Sequence, residues 1–178
     1  MNDQLFELLN REAGRFDSLD DVIEFAAQWL IYLSFAIAGI LGCQALHRRQ
    51  FRPLVQLGVT LVLAFGAATA LAHISSQLRP FQSHPVHQLI AHDPGVSMPS
   101  DHATAAFALA FGIGTFLHRG WGVVLTVLAV VIGFARVWAG VHYPGDIAVG
   151  ALIAALATAE VAVWSHWRAT RPIIPGLR

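Results

Sequence analysis

Five stretches of this chain run almost free of charge, with short polar punctuation between them. Residues 25–46 contain no Asp, Glu, Lys or Arg, and residues 53–78 contain none either, with one histidine, His73. Residues 103–117 and 120–135 follow, both short, and residues 147–165 carry a single acid, Glu160. About 20 apolar residues suffice for a helix to cross a bilayer. The two shorter stretches would place their polar flanks at the interface, where the bilayer can thin locally. The pattern predicts an all-α, polytopic membrane helical bundle of about five spanning helices. Residues 2–16 differ: Leu5, Leu8, Leu9 and Phe16 lie among polar residues and predict an amphipathic helix in an N-terminal interfacial unit, residues 1–20. Residues 81–99, with Pro85, Pro94, Gly95 and Pro99, predict an irregular loop on the outer side. Residues 1–178 together form one expected domain.

Composition agrees with this. Of 178 residues, 56% are apolar and 12% charged, against about 25% charged in soluble domains. Net charge is zero, which gives no electrostatic footprint for nucleic acid. The lone cysteine, Cys43, lies in an apolar run and excludes an internal disulfide. The acidic N-terminus has no basic region before an apolar stretch, so no cleavable signal peptide is expected.

All the Lys+Arg residues are arginine, and their placement predicts orientation. Arg48, Arg49, Arg52, Arg119, Arg168, Arg171 and Arg178 fall at one end of the alternating spans and belong in the cytoplasm by the positive-inside tendency. Arg11, Arg15, Arg79, Arg136 and every acid except Glu160 fall at the other. Small residues, Ala106, Ala110 and Gly114 in one span and Gly150 and Ala154 in another, would let helices approach closely. Trp121, Trp138, Trp164 and Trp167 sit near predicted boundaries as interfacial anchors.

Three polar clusters share the outer end. Pro144 suits the first turn of a helix, so His142 and Asp146 straddle a helix start with the carboxylate able to reach the imidazole. Such a pair either ties down a loop or holds a histidine as base or nucleophile. Ser100 is a natural N-cap, with Asp101 in the first turn and His102 after it. Helix N-termini attract anions such as phosphate, although plain capping explains Ser100 and Asp101 equally well. Arg79 and Arg136 add planar, multi-donor cations suited to phosphate. In the outer loop, His84, His87, His92 and Asp93 match no zinc spacing, and are expected to contact a diphosphate or to hold the loop. His73 is expected to pack between helices or near the floor of the site. Glu160 is a functional candidate inside the membrane, with pairing to Arg168 or water access near the cytoplasmic end as the plainer explanation.

Arg79-Pro80, then Pro99-Ser100-Asp101-His102, then Arg136 followed by His142 and Asp146, resembles the three-part signature of the type 2 phosphatidic acid phosphatase family, which also holds the vanadium haloperoxidases. The resemblance covers roughly residues 72–146. Two positions depart from it: Ala72 stands where the family usually has lysine, and Ala135 where it usually has serine. Asp101, Arg79-Pro80-Phe81 and the His87–His92 segment resemble the bacterial undecaprenyl pyrophosphate phosphatases most.

The resemblance implies that His142 attacks the terminal phosphorus to form a phosphohistidine, Asp146 orients it, and His102 protonates the leaving oxygen and then activates water. Arg79, Arg136, Ser100, Asp101 and backbone N–H groups from Ser100 to His102 would bind the phosphate. It implies no metal and no cofactor, a polyprenyl or other lipid phosphate as substrate, membrane lipids as surroundings, and a bacterial inner-membrane location with the site on the periplasmic or external face. Hydrolysis of undecaprenyl pyrophosphate, recycling the cell-wall lipid carrier, is the expected activity. Other lipid phosphates are the alternatives within the family, and a non-catalytic lipid-phosphate binder or transporter is the alternative outside enzymes.

Overall fold

The computed structural model describes residues 2–170, and every regular element in them is a helix: α1 (Asn2–Asn10), α2 (Asp17–His47), α3 (Phe51–Ile74), α4 (Pro80–Ser83), α5 (Asp101–Phe116), α6 (Arg119–Trp138) and α7 (Pro144–Thr170). Four of them, α2, α3, α6 and α7, are long and apolar enough to cross a membrane. The fifth expected span is α5, with 16 residues, or about 24 Å of helix. It is short because it is enclosed, packing against α2, α3, α6 and α7. Most of its residues, from Ala103 to Ala110 with Gly112 and Ile113, are buried. A helix walled by protein need not match the lipid thickness.

Small residues make this enclosure work. A Cβ built on Gly122 of α6 would lie 2.2 Å from the Cα of Gly114 in α5, and one on Gly150 of α7 would lie 2.9 Å from Thr104 Oγ1. The expected small-residue stripes are therefore the contact lines of the central helix. Large apolar side chains turn outward instead, among them Tyr32 and Phe35 on α2, Val127 and Val130 on α6, and Leu152 and Leu156 on α7. In water this belt would be an association hazard; against lipid it is the expected surface.

Several expected boundaries move. α1 ends at Asn10 instead of residue 16, and residues 17–20 already belong to α2. The buried face of α1 is Phe6, packed with Val137 and Tyr143, whereas Leu5, Leu8 and Phe16 are exposed. α3 stops at Ile74, four residues early. Leu78 pairs instead with Val96 as an antiparallel bridge, Ser97 N–H donates to the Gln77 carbonyl at 2.8 Å, and Pro80 disfavours helix at Arg79. His73 neither packs between helices nor reaches the site: it is exposed and bonds the Thr69 carbonyl at 2.7 Å. Arg168 stacks over Trp164, 3.8 Å from the ring centroid, rather than pairing with Glu160. Trp138 is tied inward, its Nε1–H donating to Asp20 at 3.0 Å. Arg171 and Arg178 of the orientation argument lie outside the described residues.

Candidate active site

The link from α6 to α7 builds the centre of the site. α6 ends at Trp138, and Gly140 turns the chain with φ +79°, where a Cβ would meet the His87 carbonyl at 2.8 Å. Glycine is thus required twice over, for conformation and for space. Four residues later Pro144 starts α7 and puts Asp146 in its first turn. His142 Nδ1 lies 3.3 Å from Asp146 Oδ2, with His142 2% and Asp146 0% exposed. The same carboxylate oxygen accepts the Tyr143 N–H at 2.8 Å and the hydroxyl of buried Ser97. The Asp146 carbonyl accepts Ser100 N–H at 3.3 Å, joining the start of α7 to the start of α5.

The other ring nitrogen faces a cation. Arg79 Nη1–H donates to His142 Nε2 at 3.0 Å and lies 3.4 Å from the Val141 carbonyl. A guanidinium can only donate, so Nε2 carries the lone pair and Nδ1 the proton that bonds Asp146. Burial pushes the His142 pKa well below the ordinary histidine range. The Asp146 bond opposes this, and the charges of Arg136 and Arg79 reinforce it. His142 is therefore a neutral, oriented imidazole with its nucleophilic electron pair on the pocket side.

The cations have unused donors. Arg136, in the last turn of α6, is 3% exposed and reaches the Ala27 carbonyl at 3.4 Å. Its Nε and Nη2, and Nε of Arg79, are buried and make no hydrogen bond among the described residues. Buried donors without partners are costly, and an anion with several oxygens would satisfy them. Burial lowers the Arg79 pKa, but the carboxylates of Asp101, Asp146 and Asp93 counter it, and the guanidinium stays charged.

The structure brings the remaining expected residues to the same pocket. Ser100 is buried and caps α5, its Oγ accepting Ala103 N–H at 3.4 Å. That leaves its hydroxyl proton free to meet a phosphate oxygen. Asp101 is exposed in the first turn; its backbone N–H, rather than its carboxylate, is the group able to meet an anion. His102 is partly buried, within electrostatic range of Arg136, His142, His92 and Arg79.

Two contributors were not legible in the sequence. Ser97 reaches Asp146 across 49 residues, and Asn10 works across 77. Asn10 Nδ2 donates to the carbonyls of His87 and Trp138, each at 2.8 Å, while its Oδ1 accepts His87 N–H at 2.9 Å. It thereby clamps the outer loop to the end of α6. The loop histidines diverge: His84 lies edge-on to Tyr143, His87 lies beside Gly14, and His92 alone turns to His142, with ring centroids 6.0 Å apart.

Two arginines with unpaired buried donors, a capped helix start and an oriented neutral histidine thus stand together, an arrangement able to hold a tetrahedral anion. The PAP2 superfamily profile matches residues 53–170. The chain belongs to the PAP2 superfamily. It is 32% identical over 176 residues to the bacitracin transport permease protein BcrC of Bacillus licheniformis, across 96% of this chain and 82% of that protein. It is 29% identical to the undecaprenyl-diphosphatase BcrC of Bacillus subtilis, across 88% of this chain and 79% of that protein. The crystal structure of LpxE from Aquifex aeolicus superposes with a TM-score of 0.75 at 25% identity, covering 91% of this chain and 94% of that one. This PAP2 member is a multi-pass membrane protein and a lipid phosphatase of that superfamily. At its departure from the family pattern, Ala135 is buried in an apolar cluster with Ile23, Ala26, Ala27 and Ile90.

Proposed function

We propose that this PAP2 phosphatase hydrolyses undecaprenyl pyrophosphate to undecaprenyl phosphate and inorganic phosphate, through a phosphohistidine at His142. The carrying observation is His142 bonded at both ring nitrogens, Nδ1–H to Asp146 and Nε2 facing Arg79. An incoming terminal phosphate draws Arg79 onto its oxygens and frees the Nε2 electron pair. Nε2 attacks phosphorus, the bond to the bridging oxygen breaks, and His102, having taken up a proton with the negatively charged substrate, passes it to the departing lipid phosphate. His102 then takes a proton from water as that water attacks the phosphohistidine, releasing phosphate and restoring His142. Arg79, Arg136, Ser100 and the first N–H groups of α5 hold the three equatorial oxygens as charge develops. In this scheme the arginines do the work of metal cations.

The relative named an undecaprenyl-diphosphatase supports the substrate. The relative named a transport permease favours a carrier instead. A carrier needs cations for its anionic cargo but has no use for a buried carboxylate fixing the tautomer of a histidine, so hydrolysis is the better fit. Arginine distribution supports a site on the periplasmic or external face of the bacterial inner membrane.

Phosphate release by the purified full chain tests this, in detergent with a chelator present. The substrates are polyprenyl diphosphate, phosphatidylglycerol phosphate, phosphatidate and lipid A. Polyprenyl diphosphate is expected to give the highest kcat/KM. A higher value for another lipid would replace the substrate, and no release from any of them would refute hydrolysis.

A further inference from the structure

Burial in the site is graded. His142 and Arg136 are 2% and 3% exposed, whereas Arg79 and His92 are only partly buried. The floor thus holds the nucleophile and one arginine, and the other arginine shares the mouth with His92. The lipid must remain in the membrane while its terminal phosphate reaches the floor, so the groups at the mouth meet the leaving side of the substrate.

His92 is held at that mouth from several directions. Asn10 clamps the loop upstream at His87. Downstream, Gln82 Oε1 accepts both Arg79 N–H at 3.2 Å and Gly95 N–H at 2.9 Å, and Ser97 is fixed to Gln77 and Asp146. Between these anchors the His92 ring stands nearly perpendicular to that of His142, at 82°. Its Nδ1–H donates to the Asp93 carbonyl at 3.1 Å, and Nε2 has no hydrogen-bond partner among the described residues. Two arginines and a helix N-terminus already match the charge of one terminal phosphate, so His92 is a further recognition group that a monophosphate would not use.

Building on the phosphatase reading above, we propose that His92 binds the second, membrane-proximal phosphate of a lipid diphosphate and so selects diphosphates over monophosphates. Burial, reinforced by Arg79 and Arg136, lowers the His92 pKa, whereas its bond to the Asp93 carbonyl and the Asp93 charge oppose this. The free imidazole is accordingly neutral. A diphosphate brings more negative charge than the arginines offset, which favours a proton on Nε2. The imidazolium then donates to the leaving phosphate, balancing charge as the bridging bond breaks.

The test compares polyprenyl diphosphate with polyprenyl monophosphate of the same chain length, using the full-length protein and its His92→Ala and His92→Gln variants. The readout is the ratio of kcat/KM for diphosphate to that for monophosphate, which a loss of folded protein would not move. Removing a hydrogen bond to a charged group should lower that ratio by roughly tenfold to a hundredfold. A ratio within about twofold of the unsubstituted protein in both variants overturns the role of His92, since that change is under 0.5 kcal/mol. Unsubstituted protein inactive on both lipids refutes the polyprenyl diphosphate reading of the proposed function, and this inference with it.

Discussion

His142 is fixed at both nitrogens before substrate arrives, and the groups that fix it differ in kind. Asp146 sets the tautomer, so Asp146→Asn should lower kcat by about a hundredfold to ten-thousandfold by favouring the wrong one. Ser97 acts through Asp146, so Ser97→Ala should lower kcat by about tenfold with little change in KM. Steady-state kinetics on both variants check this; a KM effect without a kcat effect would move Ser97 out of the positioning role. The lowered pKa of His142 gives a pH prediction with a definite sign. Only the neutral ring attacks, and burial keeps it neutral as pH falls through the ordinary histidine value of 6.5. kcat/KM, corrected for ionisation of the substrate phosphates, should therefore hold through that value and fall only at lower pH. An acid limb at the ordinary value would contradict it. Arg79, Ser100, His102, Arg136, His142 and Asp146 were legible because each is a polar residue at the end of an apolar run. Ser97 and Asn10 carry no such mark: each is a small polar residue whose partner lies far along the chain.

Among the elements, α1 and the outer loop hold the site from outside the bundle. Three hydrogen bonds converge on Asn10, and Asn2 adds one to Gly145 N–H, next to Asp146, at 2.9 Å. Asn10→Ala would leave the carbonyls of His87 and Trp138 and the N–H of His87 without that partner. A loss of about 2–3 kcal/mol is expected, seen as a lower unfolding temperature in detergent and faster proteolysis within residues 84–96. An unchanged loop would show that α1 merely covers it. Apolar runs located the helices well, but α1 took its packing face from Phe6 rather than Leu5 and Leu8. Periodicity reports that a helix is amphipathic, not which of its sides meets protein and which meets lipid. The early end of α3 was hidden for a related reason: the Leu78–Val96 bridge that replaces its last turn is a tertiary contact.

For the whole molecule, a short central helix is walled by four longer ones, and the polar site caps the end opposite Arg48, Arg52 and Arg119. Gly122→Leu should force α5 and α6 apart and sharply reduce folded protein, because even a Cβ there meets the Gly114 backbone. Recovery of monodisperse protein after detergent extraction measures this, and normal yield would mean the helices can separate freely. Rapid quenching during turnover of polyprenyl diphosphate labelled in its terminal phosphate, with chelator present, tests whether His142 accepts the phosphoryl group. The expected result is label on the peptide containing His142, stable to alkali and lost in acid, and absent from His142→Ala along with turnover. Full turnover by His142→Ala, or label carried on another residue, would contradict it.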